Sequence, residues 1–366
     1  MLAARLFAAV VIAGCRTARA IPSTMDAVVV RAPAPAGDLS QVKFQSGQQV
    51  PTAKKGQVLI QVHASSVNPV DWKIIETGGG FGIFRFPHVI GFDVAGTVVE
   101  CPSCRRIKVG DQVWADNGEF WPIRGGELGA YAQYALSDET QVAHKPANLN
   151  WTTAASLPLV GLTSLQALQE TGAPNGKRWA PGDGRPAHHV LITSGAGGTG
   201  HVAVQMAKAW GAKVTAVGSP ADEAFIRALG ADEFIDYTLH ENIFGVVANN
   251  SIDVVYDNYG AKGTADQAMP SLRPGGAFIF LPGDGGAISK HPKPGVTQIN
   301  YGLCRSTNHT DLELLRVLVE GGQVKPHVEK VFPLAQVVDA FKLSQVNLLK
   351  SNKLSYVSAL TQSCLD

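Results

Sequence analysis

Short runs of apolar and β-branched residues, separated by glycine- and proline-rich turns, make up the first half of the chain. These runs are AVVV at 27–30, QVLIQVHA at 57–64, DVAGTVVE at 93–100 and DQVWA at 111–115. The partial alternation of apolar and polar positions within them is typical of strands that bury one face. The stretch from Met25 to about Asn150 therefore predicts a compact, mostly antiparallel β domain.

The pattern changes after Trp151, where apolar runs of strand length alternate with stretches of helical spacing. A helical stretch at 153–169 comes first, and helices are predicted at 201–210 and 222–229. Strands are predicted at 190–193, 213–217, 234–236, 253–257 and 277–281. Alternation of this kind indicates a parallel, doubly wound sheet. Beyond Asp311 the pattern predicts helices at 312–322 and 335–343 and a last strand near 354–357.

Residues 1–20 differ from the rest of the chain. A basic residue at Arg5 precedes an apolar run at 6–14, and Ala-Arg-Ala follows at 18–20. These are the three zones of a secretory signal peptide, and the run is too short to span a bilayer stably. We expect delivery to the secretory pathway or an organelle reached through it. The mitochondrion is the alternative, because Arg5, Arg16 and Arg19 all precede the first acidic residue, Asp26.

Composition narrows the function classes. A chain of 366 residues is long enough for two domains, and its formal net charge is only +1. It contains no block of lysine and arginine interleaved with aromatic residues, so we expect no nucleic-acid partner. Its five cysteines are too few to form a disulfide framework for a chain of this size.

A glycine motif carries the strongest chemical signal. Gly195, Gly197 and Gly200 satisfy G-x-G-x-x-G between a predicted strand and a predicted helix, and Gly198 and Thr199 lie inside the motif. The first glycine makes a tight turn, the second lets the backbone approach a pyrophosphate, and the third permits close packing of helix and strand. The N–H groups of the helix N-terminus then attract phosphate charge. The motif predicts a dinucleotide site.

The end of the second predicted strand bears on the choice of nicotinamide. NAD-specific sites place an acidic residue about twenty residues after the glycines, where it binds the ribose hydroxyls. This chain has Gly218 and Ser219 there, which favours NADPH, since an acid would repel a 2′-phosphate. Arg227 and Tyr237 are further candidates for contact with that phosphate. The acidic residues Asp222 and Glu223 are typical of a helix N-cap and first turn.

The chain resembles the zinc-independent quinone oxidoreductase branch of the medium-chain dehydrogenase/reductase superfamily. That branch includes zeta-crystallin-like proteins and plant alkenal or enone reductases. The motifs that carry the resemblance are ASSVNPVDWK at 64–73, FPHVIGFDVAGTVVE at 86–100, KVGDQVWA at 108–115, GAYAQYAL, ASLPLVGLTSLQAL, the glycine motif, LGADEFIDYT and LRPGGAFI.

The resemblance implies an α/β fold with two domains, a GroES-like β domain and a doubly wound parallel Rossmann domain. It implies a GroES-like catalytic domain at 25–152, a Rossmann NADPH-binding domain at 153–305 and a C-terminal segment at 306–362 that returns to the catalytic domain. The active site would lie in the cleft between the domains. A homodimer is implied only by the habit of the family.

The resemblance also bears on metals. Zinc-using relatives have a cysteine near the position of Asn68 and a His-Glu pair at the positions of Phe92 and Asp93, so we expect no catalytic zinc. Cys101 and Cys104 are half of a structural zinc site at best. They form either a disulfide or two separate thiols.

The resemblance implies hydride transfer from NADPH to a quinone or an α,β-unsaturated carbonyl, with Asn68 and Lys73 as candidate catalytic residues. Asn68 would donate from its amide to substrate or cofactor, and Lys73 would polarise the substrate carbonyl. Alternatives are a non-catalytic NADPH-binding relative and an enoyl-thioester reductase. The predicted cofactor-binding residues are Thr163, Gly195, Gly197, Gly198, Thr199, Gly200, Ser219, Tyr237, Asn258 and Leu281. Candidates for an apolar substrate wall are Phe81, Phe84 and Phe86.

Overall fold

Sixteen strands and eight α-helices form within the residues that the computed structural model describes, namely 20–76, 86–118, 129–171, 188–281, 288–302, 304–349 and 357–361. The strands are β1 (Thr24–Val30), β2 (Val42–Gln49), β3 (Gln57–Val67), β4 (His88–Val89), β5 (Asp93–Glu100), β6 (Gln112–Asp116), β7 (Tyr134–Asp138), β8 (Val142–His144), β9 (His189–Ile192), β10 (Lys213–Gly218), β11 (Glu233–Asp236), β12 (Ile252–Asp257), β13 (Leu272–Phe280), β14 (Thr297–Asn300), β15 (Val328–Pro333) and β16 (Val357–Thr361). The helices are α1 (Pro69–Glu76), α2 (Trp151–Ala155), α3 (Pro158–Thr171), α4 (Gly198–Ala209), α5 (Glu223–Ala228), α6 (Thr264–Ala268), α7 (His309–Glu320) and α8 (Val337–Leu349).

The first half of the chain forms mostly antiparallel sheets, as its alternating pattern predicts. Seven strands form one sheet in the order β15-β16-β3-β5-β6-β8, with β7 also paired to β3, and a smaller sheet has the order β2-β1-β4. Every pairing in these two sheets is antiparallel except that of β15 with β16. Strand β3 is central, and its residues Val58, Ile60 and Val62 pack in the apolar core of this domain.

The tail of the chain joins this same sheet. Strand β16 pairs antiparallel with β3, so that Leu360 lies opposite Ser65. Helix α8 packs beside it, with the Phe341 ring centroid 5.9 Å from that of Tyr131. The first and last parts of the sequence therefore share one core.

The second half forms the predicted parallel sheet. Its six strands follow the order β11-β10-β9-β12-β13-β14, and every neighbouring pair is parallel. The order changes direction between β9 and β12, which is the topological switch point at which doubly wound sheets bind ligands. In β9, Val190, Leu191 and Ile192 are fully buried, as expected for a strand covered on both faces.

Two predicted elements differ from the structure. The helix expected at 153–169 is two helices, because Pro158 has no N–H to donate and starts a new helix at its first position. The last strand, expected near 354–357, lies at Val357–Thr361, and residues 351–356 are outside the described residues. The predicted targeting segment also falls outside them, apart from Ala20. Among the described helices, none has the length and apolar character needed to cross a membrane.

Candidate active site and cofactor cleft

The glycine motif forms a tight turn between β9 and α4. Gly195 N donates to Val217 O (2.8 Å), and Gly197, the N-cap of α4, donates to Ser194 O (2.9 Å). A Cβ on Gly200 would lie 2.0 Å from Ser194 O, and a Cβ on Gly195 would lie 3.0 Å from Ala216 Cβ. Larger residues would therefore push the helix away from the turn. The first N–H groups of a helix have no partner within it, so the turn fits a phosphate-bearing cofactor.

Polar side chains from β9, α4 and the end of β12 meet at the switch point. Thr199 Oγ1 donates to Asn258 Oδ1 (2.8 Å), and Asn258 Nδ2 donates to Thr193 O (3.1 Å). Thr193 Oγ1 in turn donates to the buried Asp257 Oδ1 (2.7 Å). Burial raises the pKa of Asp257, and the donors around it oppose that shift. This network fixes the start of α4 against the neighbouring strand.

Ser219, Tyr237 and Leu281 follow the ends of β10, β11 and β13. Because the strands are parallel, these residues lie along the same edge of the sheet as the glycine turn. The backbone N–H and hydroxyl of Ser219 both donate to Asp222 Oδ2, at 3.0 and 2.7 Å. Asp222 thus has the helix-start position that its sequence context predicts.

Arg227, the basic candidate for contact with a 2′-phosphate, already forms an ion pair with Glu223. Arg227 Nε donates to Glu223 Oε1 over 2.8 Å, within α5. Both side chains are about half exposed, so water screens the pair and it adds little stability. A 2′-phosphate would have to compete with Glu223 for this guanidinium.

Helix α3 contacts strands of both large sheets, namely β5 and β6 of the mostly antiparallel sheet and β12 and β13 of the parallel sheet. Thr163 is buried, and its hydroxyl donates to Leu159 O one turn earlier (2.7 Å). The next residue, Ser164, donates to Thr199 O (2.9 Å) in the first turn of α4. Ser164 therefore ties α3 to the first turn of α4, next to the predicted cofactor residues Thr163 and Thr199.

A buried polar cluster surrounds Asn68 at the end of β3. Asn68 Nδ2 donates to Asp93 Oδ2 (2.6 Å), and Ser66 Oγ donates to the same oxygen (2.5 Å). The other oxygen of Asp93 accepts from Leu159 N, at the start of α3 (2.7 Å). Burial and the nearby Asp116 raise the pKa of Asp93, whereas the three donors lower it, and the net direction is upward.

Asp71 lies in the first turn of α1, three residues after Asn68. Its Oδ2 accepts from Asn68 N (2.7 Å), which caps the helix and holds the loop before it. Asp71 Oδ1 is buried without a hydrogen-bond partner among the described residues. Burial raises the pKa of Asp71 to about 7. The nearby Tyr131 is also buried, and its hydroxyl donates to Ser66 O (2.9 Å).

A further buried carboxylate, Asp116, ends β6 and contacts the segment that follows β14. Asp116 Oδ2 accepts from Ser306 Oγ (2.8 Å) and from Cys304 Sγ (3.2 Å), and its Oδ1 accepts from Gly118 N (2.8 Å). Burial raises the pKa of the Cys304 thiol, and Asp116 adds to that shift, so the thiol stays protonated. These contacts tie the segment after β14 to the end of β6.

The remaining predicted site residues are Lys73 and the phenylalanines of the predicted substrate wall. Lys73 is half-buried on α1, with its Nζ 5.8 Å from the ring centroid of Trp72. Phe86 is half-buried against the core that contains Tyr131, whereas Phe81 and Phe84 lie outside the described residues.

The sheet order, the glycine turn and the buried polar cluster around Asn68 define the two-domain fold of the nicotinamide-dependent medium-chain dehydrogenases and reductases. Two family models match the chain, an alcohol dehydrogenase GroES-like domain over residues 54–147 and a zinc-binding dehydrogenase over residues 229–347. A 2-methylene-furan-3-one reductase of Solanum lycopersicum is 34% identical over 315 residues, which are 83% of this chain and 73% of that protein.

Two further similarities agree with these matches. A chloroplastic NADPH-dependent alkenal/one oxidoreductase of Arabidopsis thaliana is 34% identical, over 85% of this chain and 75% of that protein. The quinone oxidoreductase structure from Coxiella burnetii superposes with a TM-score of 0.74 at 26% identity, over 92% of this chain and 99% of that one. The chain belongs to the medium-chain dehydrogenase/reductase superfamily, in its quinone oxidoreductase-like branch.

The residues present do not fit the catalytic zinc that many members of this fold carry. The side chain at the cysteine position is Asn68, and its amide is hydrogen-bonded to Asp93. Within the part of the chain that the structure describes, no group of three histidine, cysteine or acidic side chains is placed to hold a metal ion. Cys101 and Cys104 are joined as a disulfide, with their Cα atoms 5.7 Å apart.

Several site residues were missed by the sequence analysis. Ser66 donates to Asp93, the partner of Asn68, and Ser164 donates to Thr199, whereas Cys304 and Ser306 both donate to Asp116. Ser66 and Ser164 lie within motifs that carry the resemblance, but nothing in those motifs singles them out. An acid inside an apolar strand, such as Asp93 at the start of DVAGTVVE, is the kind of signal that could have found this cluster.

Proposed function

We propose that the protein is an NADPH-dependent reductase that transfers hydride to a quinone or an α,β-unsaturated carbonyl without a catalytic zinc. The observation that carries the proposal is the glycine turn at the switch point, with Asn258 and Thr199 beside it. The relatives named as NADPH-dependent alkenal/one oxidoreductase and 2-methylene-furan-3-one reductase support the same reaction class.

The cofactor supplies the hydride when it is bound, and the protein supplies position and charge. We assign the pyrophosphate to the turn of Gly195, Gly197, Gly198 and Gly200, where backbone can approach it closely. Thr163, Thr199, Asn258 and Leu281 would line the nicotinamide side of the cleft, and Ser219 and Tyr237 the adenosine side. No side chain here has to form a covalent bond.

On the catalytic side, we assign Asn68 and Lys73 to the reacting end of the cleft. A developing negative charge on the substrate oxygen needs a donor, and the Lys73 ammonium is the charged candidate on α1. Asn68 follows β3 and directly precedes α1, where it is buried and donates to Asp93. Closure of the cleft around the nicotinamide would exclude water and strengthen these contacts.

NADPH is favoured over NADH because Ser219 rather than an acid follows β10. Asp222 lies close by, but its Oδ2 is engaged by Ser219. The two nicotinamides therefore need a direct comparison in the same assay.

We also propose domain boundaries at 25–152, 153–305 and 306–362, which the pairing of β16 with β3 supports. A homodimer and delivery through the secretory pathway belong to the proposal as well. Light scattering of the purified protein tests the homodimer. A fluorescent fusion of residues 1–25 tests the delivery, and a signal confined to the cytosol would contradict it.

The deciding experiment follows NADPH oxidation by the purified full chain with 9,10-phenanthrenequinone and with a short enone, with and without a chelator. We expect oxidation with at least one acceptor, unchanged by the chelator, and slower oxidation of NADH. Tight NADPH binding without oxidation of either acceptor would favour a non-catalytic relative. Loss of activity on chelation would refute the zinc-free mechanism.

A further inference from the structure

We propose that Asp93 is a positioning residue that turns the Asn68 side chain so that its carbonyl oxygen, and not its NH2 group, faces the cofactor. The inference rests on the proposed function, since it assumes that NADPH occupies the cleft. It deepens that function by giving Asn68 the role of a hydrogen-bond acceptor.

The geometry commits both side-chain N–H groups of Asn68. Its Nδ2 lies 2.6 Å from Asp93 Oδ2 and 3.4 Å from Ser66 Oγ. Because the Ser66 hydroxyl donates its own hydrogen to Asp93, the oxygen of Ser66 is free to accept from Asn68. The carboxylate thus decides which end of the amide points toward β5, since oxygen and nitrogen of an amide are told apart only by their partners.

The atom left over is Asn68 Oδ1, which has no hydrogen-bond partner among the described residues. A quinone or an enone presents only carbonyl oxygens, which are acceptors, so Asn68 Oδ1 cannot polarise such a substrate. The nicotinamide half of NADPH does present donors, namely its carboxamide NH2 and its ribose hydroxyls. Asn68 therefore serves the cofactor, and the substrate oxygen takes its hydrogen bond from another group.

Asp93 also holds the opposite wall of the cleft. Its Oδ1 accepts from Leu159 N, and the Leu159 carbonyl accepts from the Thr163 hydroxyl one turn later. A single carboxylate on β5 therefore sets the position of Asn68 in one domain and of α3 at the start of the other. Its loss should disturb cofactor binding from both sides.

The test measures the NADPH dissociation constant of the full chain by fluorescence titration. Asn68→Leu removes the acceptor, and we expect about a tenfold weaker affinity, the value of one hydrogen bond of about 1.4 kcal/mol. Asp93→Asn lets the new amide donate toward residue 68, which turns Asn68 over, so we expect a similar loss. The control is Asp311→Asn, because Asp311 is also a buried carboxylate and accepts from the Gln166 amide (2.9 Å).

The 3-acetylpyridine analogue of NADPH, which lacks the carboxamide NH2, separates the two possible donors. If Asn68→Leu no longer weakens binding of the analogue, the carboxamide is the partner. If the tenfold loss persists, a ribose hydroxyl is the partner. Either result supports the acceptor role.

Two results would overturn the inference. One is NADPH affinity within about twofold of wild type in both variants. The other is a raised KM for the quinone in Asn68→Leu with the NADPH affinity unchanged, which would make Asn68 a donor to the substrate. Asn68→Leu leaves in place the hydrogen bonds that Ser66 Oγ and Leu159 N donate to Asp93, so it tests the acceptor role even where Asp93→Asn is too unstable to purify. Failure of the proposed function is distinct, because it would appear as NADPH binding by the wild type without turnover.

Discussion

Replacing Asp71 with asparagine should remove a large part of the pH dependence of folding stability. Burial raises the pKa of Asp71 from its ordinary value of 3.8 to about 7 in the folded protein. The difference corresponds to about 4 kcal/mol between the two states, at about 1.4 kcal/mol for each tenfold change in proton affinity. Asparagine keeps an oxygen that can accept from Asn68 N, so the cap of α1 is retained.

The direction in which the unfolding free energy changes with pH follows from the protons that each state binds. Between pH 3.8 and about 7 the folded chain holds a proton on Asp71 that the unfolded chain has lost. The contribution of Asp71 to the free energy of unfolding is therefore complete below pH 3.8 and declines as the pH rises through about 7. Wild type should lose stability relative to Asp71→Asn over this range, by at most about 4 kcal/mol.

The assay is urea denaturation of both proteins at pH values from 4 to 7.5, followed by tryptophan fluorescence. The quantity of interest is the difference in unfolding free energy between wild type and variant, because other titrating groups cancel in it. Asp38→Asn is the control, since Asp38 is exposed and its pKa is lowered by the Ser40 N–H, so it should show no decline of this kind. A difference that stays flat with pH, or grows in favour of wild type, would refute the reasoning.

Three further predictions concern the Rossmann domain. Gly200→Ala places a Cβ 2.0 Å from Ser194 O, so the NADPH affinity should fall at least about tenfold. The control is Gly302→Ala, whose Cβ would meet no atom within 4 Å and which should bind NADPH as wild type does. Fluorescence titration with NADPH measures both affinities. Gly161→Ala places a Cβ 2.3 Å from Leu315 Cδ2, and Leu315→Ala should cost about 2–5 kcal/mol of stability. The double variant should lose less than the sum of the single losses in urea denaturation, and strict additivity would count against direct contact. Burial lowers the pKa of His201 to about 4 from 6.5, so stability should fall by about 3 kcal/mol as the pH drops from 6.5 to about 4, and His201→Gln should abolish that fall in the same assay.

Local patterns were sufficient for the cofactor side of the site. The glycine turn, Ser219 and Asn258 all follow predicted strands, and parallel strands bring their carboxyl ends to one edge whatever the loops do. The sequence therefore predicted both the fold and the edge at which these residues lie. Contact between them and a bound cofactor stays a prediction.

The polar cluster around Asn68 could not be predicted in the same way. Cys304 reaches Asp116 across 188 residues, and Leu159 reaches Asp93 across 66. Such contacts depend on how α3 and the segment after β14 pack on the first domain, which no periodicity encodes. The sequence predicted that the Asn68 amide donates to substrate or cofactor, but it did not reveal that Asp93 is its neighbour. Asp93 accepts from the amide nitrogen and so determines which end of the amide can donate elsewhere.

The pairing of β16 with β3 bears on the order in which the chain can fold as it leaves the ribosome. Strand β3 is made early, but its neighbour at Val357–Thr361 emerges only after the whole parallel sheet has been synthesised. Strand β7 covers Gln57–Gln61 on that edge of β3, but until β16 is made the Ala64–Val67 part keeps unpaired N–H and C=O groups, which is the kind of edge that recruits other chains. The parallel sheet, by contrast, comes from one continuous stretch and can close first. A chain stopped before Val357 would carry a finished cofactor domain beside a catalytic domain with an open edge.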